Sequence, residues 1–138
     1  MTKKLVLNTF KQEGFDVSET ETANGVEELR VKTQDGKVHR ILLQELDLHA
    51  NRNIKILKTD LGELNDNRWI ALVLRLPDME PTIYLIPSTV FSEPDDFVFI
   101  ENNQNPRLAH FSNYEIKVFR NGMSKLNEYR IENMLGKL

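Results

Sequence analysis

Two short stretches hold the side chains best placed to do chemistry. The first is HRILLQELDLH, residues 39 to 49, which has the makings of a central β-strand: both faces are apolar around Ile41, Leu42 and Leu43. Gln44 interrupts that apolar run, and Glu45 and Asp47 follow at once. The second stretch is NGVEELRV, residues 24 to 31. In a strand its odd positions Glu27, Leu29 and Val31 share one face, so Glu27 points the same way as core residues, while Glu28, Arg30 and Lys32 share the other. Carboxylates on adjacent strands are the hard oxygen donors that Mg²⁺ takes, but beside Glu27 the second strand offers Gln44, a neutral amide. A plain structural account is equally available: Glu27 pairs with Arg30 or Lys32 or reaches solvent, and Gln44 is a hydrogen-bonded, partly buried strand residue.

Other chemistries find little purchase. His39, His49 and His110 are scattered without ligand spacing, and there is no cysteine, so thiolate metal sites, disulfides and thiol catalysis are excluded. Ser88 and Ser112 sit in no nucleophile-elbow pattern, and the glycines form no phosphate-cradling loop. Arg52, Lys55 and Lys58 in NRNIKILK, together with Arg68, are the candidate nucleic-acid-binding residues, a basic patch suited to a phosphate backbone. Trp69, Tyr84, Phe97 and Phe99 fall in strand patterns and read as core or interface rather than base-stacking platforms.

The elements that must position these residues follow from periodicity and turn chemistry. Residues 2 to 13 read as a helix with a stripe of Leu5, Val6, Thr9 and Phe10, stopped by Gly14. Residues 15 to 22 read as an edge strand. VEELRVKT and VHRILLQELDL form a hairpin about Asp35-Gly36. A loop is expected from residue 51, then a short helix beginning near Thr59 or Asp60, with Glu63 three residues beyond Asp60 to complete a capping box. RWIALVLRL, 68 to 76, is the clearest buried strand, and TIYLIP, 82 to 87, returns antiparallel to it. STVF makes one helical turn, residues 97 to 100 and 114 to 119 read as further strands, and 123 to 135 as a helix with Ile131, Met134, Leu135 and Leu138 on one side.

The order helix, strand, hairpin, short helix, long buried strand resembles the core of the PD-(D/E)XK nucleases, the restriction-endonuclease-like fold. Three phrases carry the likeness: NGVEELRV where such domains have an Asn-Gly-x-Asp strand, HRILLQEL where they have a Glu/Gln-x-Lys strand, and TDLGELNDNRWIALVL followed by YLIPS, similar to small stand-alone members. The likeness runs from about Thr2 to Phe91. It implies a single nuclease-like α/β (α+β) domain over 1–138: a central mixed β-sheet flanked by helices, with a core over about 2–91 and a strand-and-helix extension over 92–138. It also implies a degenerate active site. Glu27 stands in place of the Asp, Leu42 falls where the Glu is expected and Gln44 where the Lys is expected. A leucine cannot ligate metal, and a neutral amide is no base. A rival register that places Glu45 and Asp47 at the two motif positions puts two acids where the strand leaves the core.

At 138 residues the chain is long enough to bury a core as one domain, and its net charge of −3 gives no global pull toward phosphate or anionic membrane. The N-terminal apolar run is too short for a signal peptide, and no window approaches the roughly 18 apolar residues of a membrane span. These features lead us to expect a cytoplasmic, non-catalytic binding or interaction module without cofactor, whose partner is nucleic acid, another protein or, through an uncovered sheet edge, a second copy of the chain. The enzyme alternative is a Mg²⁺-dependent nuclease borrowing ligands such as Glu13, Asp16 or Glu45.

Overall fold

The computed structural model describes residues 2–138. Helix α1 (Thr2–Gln12) buries Val6 and Phe10, one turn apart, and Gly14 at φ 87° takes the chain out of the helix. Strand β1 (Asp16–Glu21) follows at the sheet edge, then β2 (Glu27–Lys32) and β3 (Val38–Asp47), joined by a turn with Gly36 at φ 90°. The chain continues through β4 (Asn53–Leu57) and α2 (Lys58–Leu61) into β5 (Arg68–Arg75) and β6 (Thr82–Pro87). Strands β7 (Phe99–Asn102) and β8 (Asn113–Lys117) precede two short helices, α3 (Met123–Leu126) and α4 (Ile131–Met134).

The strands form a five-stranded sheet in the order β1-β2-β3-β5-β6 and a three-stranded sheet in the order β4-β8-β7. The larger sheet is mixed: β3 and β5 run parallel, from Arg40 opposite Arg68 to Asp47 opposite Arg75, and its other pairs are antiparallel. A parallel neighbour needs a crossover, and β4 with α2 supplies it.

Both faces of the larger sheet are covered, which explains why all but the last residue of β5 is buried. Leu29, Val31, Ile41, Leu43, Trp69, Val73 and Leu85 pack with Val6 and Phe10 of α1 and Ile131 and Met134 of α4. On the reverse face Leu42, Leu46, Ile70, Leu72 and Ile86 pack with Ile56, Phe99, Tyr114 and Ile116 of the smaller sheet. The result is three layers: helices, large sheet, small sheet.

Several expectations need correction. The segment expected to be loop from residue 51 contains β4, whose partner β8 lies some sixty residues away (Ile54 opposite Ile116), so no local signal marks it. Helix α2 starts at Lys58, and Asp60 lies inside it rather than capping it; Gly62 at φ 74° ends the helix before Glu63 can join a capping box. The strand expected at 97–100 begins at Phe99, because the Asp95 carboxylate accepts the amides of Phe97, Val98 and Phe99 and holds them in a turn. The C-terminal helix is broken at Arg130, which turns extended (ψ 140°) and bridges Tyr84 beside β6.

Candidate functional site

Strand alternation decides which carboxylate enters the sheet. Glu27 does share a side with Leu29 and Val31, but as the first residue of β2 it is exposed beyond the helical cover. Its neighbour Glu28 is the buried one, 3 % exposed, and it points to the opposite face, opposite Leu42 in register. This one-residue difference moves the acid of interest to the other side of the sheet.

Glu28 is held by a tight set of donors. Arg68 Nη1 donates to Oε2 at 2.8 Å, Arg40 Nη2 donates to Oε1 at 3.0 Å, and the Thr20 hydroxyl donates to Oε1 at 3.1 Å. Burial works to raise the Glu28 pKa, but the hydrogen bonds and positive charge of Arg40 and Arg68 outweigh it, and the net direction is downward. Arg68 is itself buried and spends its other donors on main-chain oxygens near the end of α2: Nε on Leu61 O at 2.7 Å and Nη2 on Asp60 O at 2.9 Å. Helix ends leave such carbonyls without a helical partner, and a guanidinium fork suits them. Asp60 in turn accepts from Asn24 and Thr22 through its side chain, so the loop before β2, helix α2 and the start of β5 are tied together around one ion pair.

The cross-strand register adds a second feature. Ser18 of β1 lies opposite Arg30 of β2, Arg30 opposite Arg40 of β3, and Arg40 opposite Arg68 of β5. Three arginines therefore stand in one row on three adjacent strands. The next row is Thr20, Glu28, Leu42 and Ile70. Above these rows opens a cleft of about 780 Å³, lined on the sheet side by Thr20, Glu28, Arg30, Arg40 and Arg68.

The residues singled out from the sequence are placed as follows. Leu42 is fully buried between the two sheets, and Gln44 lies on the same face, half-buried and opposite Leu72. Arg52, Lys55 and Lys58 do not join Arg68: Arg52 and Lys55 are exposed on and before β4, with Lys55 opposite Glu115, and Lys58 pairs with Glu101 and lies 5.0 Å from the Tyr114 ring centroid. The expected patch is broken because β4 belongs to the other sheet. Glu13 and Asp16 are exposed, and Glu45 pairs with Arg75 on the helix side, so none of the three approaches Glu28. Among the described residues no three His, Cys, Asp or Glu side chains stand close enough to hold a metal ion.

The donor set around Glu28 does not suit the Mg²⁺ that the resemblance implies. Both carboxylate oxygens already accept from arginine, and Leu42 and Gln44 add no anionic oxygen. Two guanidinium groups stand where a dication would compensate the same carboxylate.

A second buried polar pair lies on the helix side. The Trp69 indole donates to His39 Nδ1 at 2.9 Å, and His39 is fully buried. Because indole is only a donor, His39 must be neutral with its proton on Nε2, and Nε2 has no hydrogen-bond partner among the described residues. Burial, with the Lys37 charge adding to it, lowers the His39 pKa.

Sequence reasoning placed Glu28 with Arg30 and Lys32 on the face away from Leu29 and Val31, and assigned Arg68 to a basic patch with Arg52, Lys55 and Lys58. The available clue was an arginine opening an otherwise apolar strand, since a buried cation needs a buried partner. No helix of the chain, among the described residues, is long and apolar enough to cross a membrane. Set beside protein-family models, curated proteins and solved structures, the chain matches none.

Proposed function

We propose that this chain is a non-catalytic relative of the PD-(D/E)XK nucleases that works in the cytoplasm as a binding or interaction module, with the cleft above Glu28 as its contact face. One observation carries the reading: Glu28, the acid of β2 that shares a face with Leu42 and Gln44, is neutralised by Arg40 and Arg68, while Glu27, which the resemblance puts at the metal-binding position, stands exposed on the other face. The element order supports the kinship, since α1, β1, β2 and β3 lead through a crossover to β5, parallel to β3. Leu42 in the core and a neutral Gln44 beside it support the loss of chemistry.

The test is a cleavage assay on single- and double-stranded DNA and RNA with Mg²⁺ or Mn²⁺. No cleavage is expected from the wild-type protein, and none from Glu28→Ala. Metal-dependent cleavage that disappears in Glu28→Ala overturns the proposal. The class of partner is read separately from salt dependence: nucleic-acid binding weakens steeply as salt rises because counterions are released, whereas an apolar protein contact does not.

A further inference from the structure

Like charges placed directly opposite one another on a sheet are destabilising, yet Arg30, Arg40 and Arg68 occupy one unbroken row. Only Arg68 is consumed by structure. Arg40 gives part of one end of its guanidinium to Glu28 and leaves its side chain more than half exposed, at 57 %. Arg30 is exposed and makes no ion pair among the described residues. Lys37 lines the same cleft. The negative groups there are Glu28, already paired, and Glu63 and Asp66, which lie exposed on the loop between α2 and β5. The sheet floor of the cleft thus presents two adjacent, partly unused guanidinium forks.

We propose that this row is an anion site that takes a phosphate ester, with Arg30 and Arg40 ligating its oxygens. Arg30 and Arg40 are directly opposed on adjacent strands, which sets their Cβ atoms about 5 Å apart, so two long side chains rooted there can turn their planar forks onto one tetrahedral anion. Arg68 is a positioning residue: it fixes the Glu28 carboxylate, and that carboxylate orients Arg40 from below. Glu28 offsets the charge of Arg40 and Arg68 from within the sheet, and a bound anion offsets what remains at Arg30 and Arg40. This inference rests on the cleft being the contact face, but not on kinship with nucleases.

The experiment is an NMR titration of the arginine side-chain N–H resonances at low salt, with three probes: inorganic phosphate, adenosine monophosphate, and a single-stranded oligonucleotide lacking terminal phosphates. Saturable shifts at Arg30 and Arg40 support the site. Shifts with the first two probes identify a phosphomonoester, and shifts with the oligonucleotide alone identify a backbone phosphodiester. Arg30→Gln is expected to weaken binding by about tenfold or more without lowering the melting temperature, and Asp66→Asn to strengthen it. No saturable shift with any probe, or undiminished affinity in Arg30→Gln, overturns the site. Metal-dependent cleavage with phosphate binding intact would instead overturn only the non-catalytic reading, so the two failures are distinct.

Discussion

Strand β5 begins and ends on an arginine, and each is paired with a glutamate, but the two pairs do opposite jobs. Arg68 and Glu28 have side chains only 3 % and 4 % exposed, whereas Arg75 and Glu45 are 32 % and 45 % exposed. At the buried end, desolvation leaves no room for a missing partner, so Arg68 also reaches two main-chain carbonyls and Glu28 also takes Arg40 and Thr20. At the open end water competes for both ions, and the pair is worth little. Two similar ion pairs on the same strand therefore teach different things: one is an architectural joint at the floor of a cleft, the other decorates a surface.

That contrast can be broken most directly at Arg68. Replacing it with Met leaves the buried Glu28 carboxylate only Arg40 and Thr20 and removes the donor to the Leu61 and Asp60 carbonyls, and urea denaturation should show a loss of about 3–5 kcal/mol. The double variant Glu28→Leu with Arg68→Met should recover most of that loss, since an apolar pair of similar volume often does as well as a buried ion pair. A single Arg68→Met variant as stable as wild type would mean the two ends of β5 do not differ as described.

Acid sharpens the comparison next, with two windows. For His39 the folded pKa lies below the ordinary value of 6.5, so the unfolded chain takes up the proton first. Stability is therefore full above about 6.5 and declines as the pH falls through the region below it. Protonation also sets a second N–H against the Trp69 indole, and Trp69 is the chain's only tryptophan, so its fluorescence reports the event directly. His39→Phe should flatten the decline between pH 7 and pH 5. For Glu28 the folded pKa is lowered, so its contribution is present above the usual glutamate range, near 4.5, and is lost only as the pH falls further, through the folded value. If the urea midpoint were unchanged from pH 7 to pH 5, the buried neutral imidazole would be excluded.

The smaller effects belong to the open end and the arginine row. Arg75→Ala should cost about 1 kcal/mol or less, and added salt should shrink that cost further. A loss as large as that of Arg68→Met would erase the distinction. Smallest of all, Arg30→Thr should raise stability by roughly a few tenths of a kcal/mol, because it removes one like-charge neighbour from the row. Differential denaturation at low salt would resolve the sign. A clear loss of stability would show that Arg30 is held by structure rather than kept for a ligand.

Much of the fold was legible before any tertiary information. Helix α1 declares itself through Val6 and Phe10 and its Gly14 stop, the β2–β3 hairpin through Asp35-Gly36, and β5 through an apolar run too dense for a one-sided strand. Strand β4 was not legible, because Asn53–Leu57 makes sense only against β8. The break at Arg130 was equally hidden, since the three- and four-residue spacing of Ile131, Met134, Leu135 and Leu138 says nothing of the residues before it, and the extended turn at Arg130 comes with a bridge to Tyr84 from a distant strand.

The candidate site divides along the same line. Alternation within β2 correctly separated Glu27 from Glu28 by face, a consequence of the two-residue repeat that needs no partner. Which of those faces a carboxylate could be buried on was another matter. α1 leaves the first residue of β2 uncovered on one side, while Arg68, arriving from forty residues downstream, closes over the second residue on the other. Burial of charge is a property of what surrounds a side chain, and here those surroundings are assembled from β1, β3, α2 and β5. Patterning over a few residues is enough to set strand, turn and side; the meeting of Glu28 with its arginines required the folded sheet.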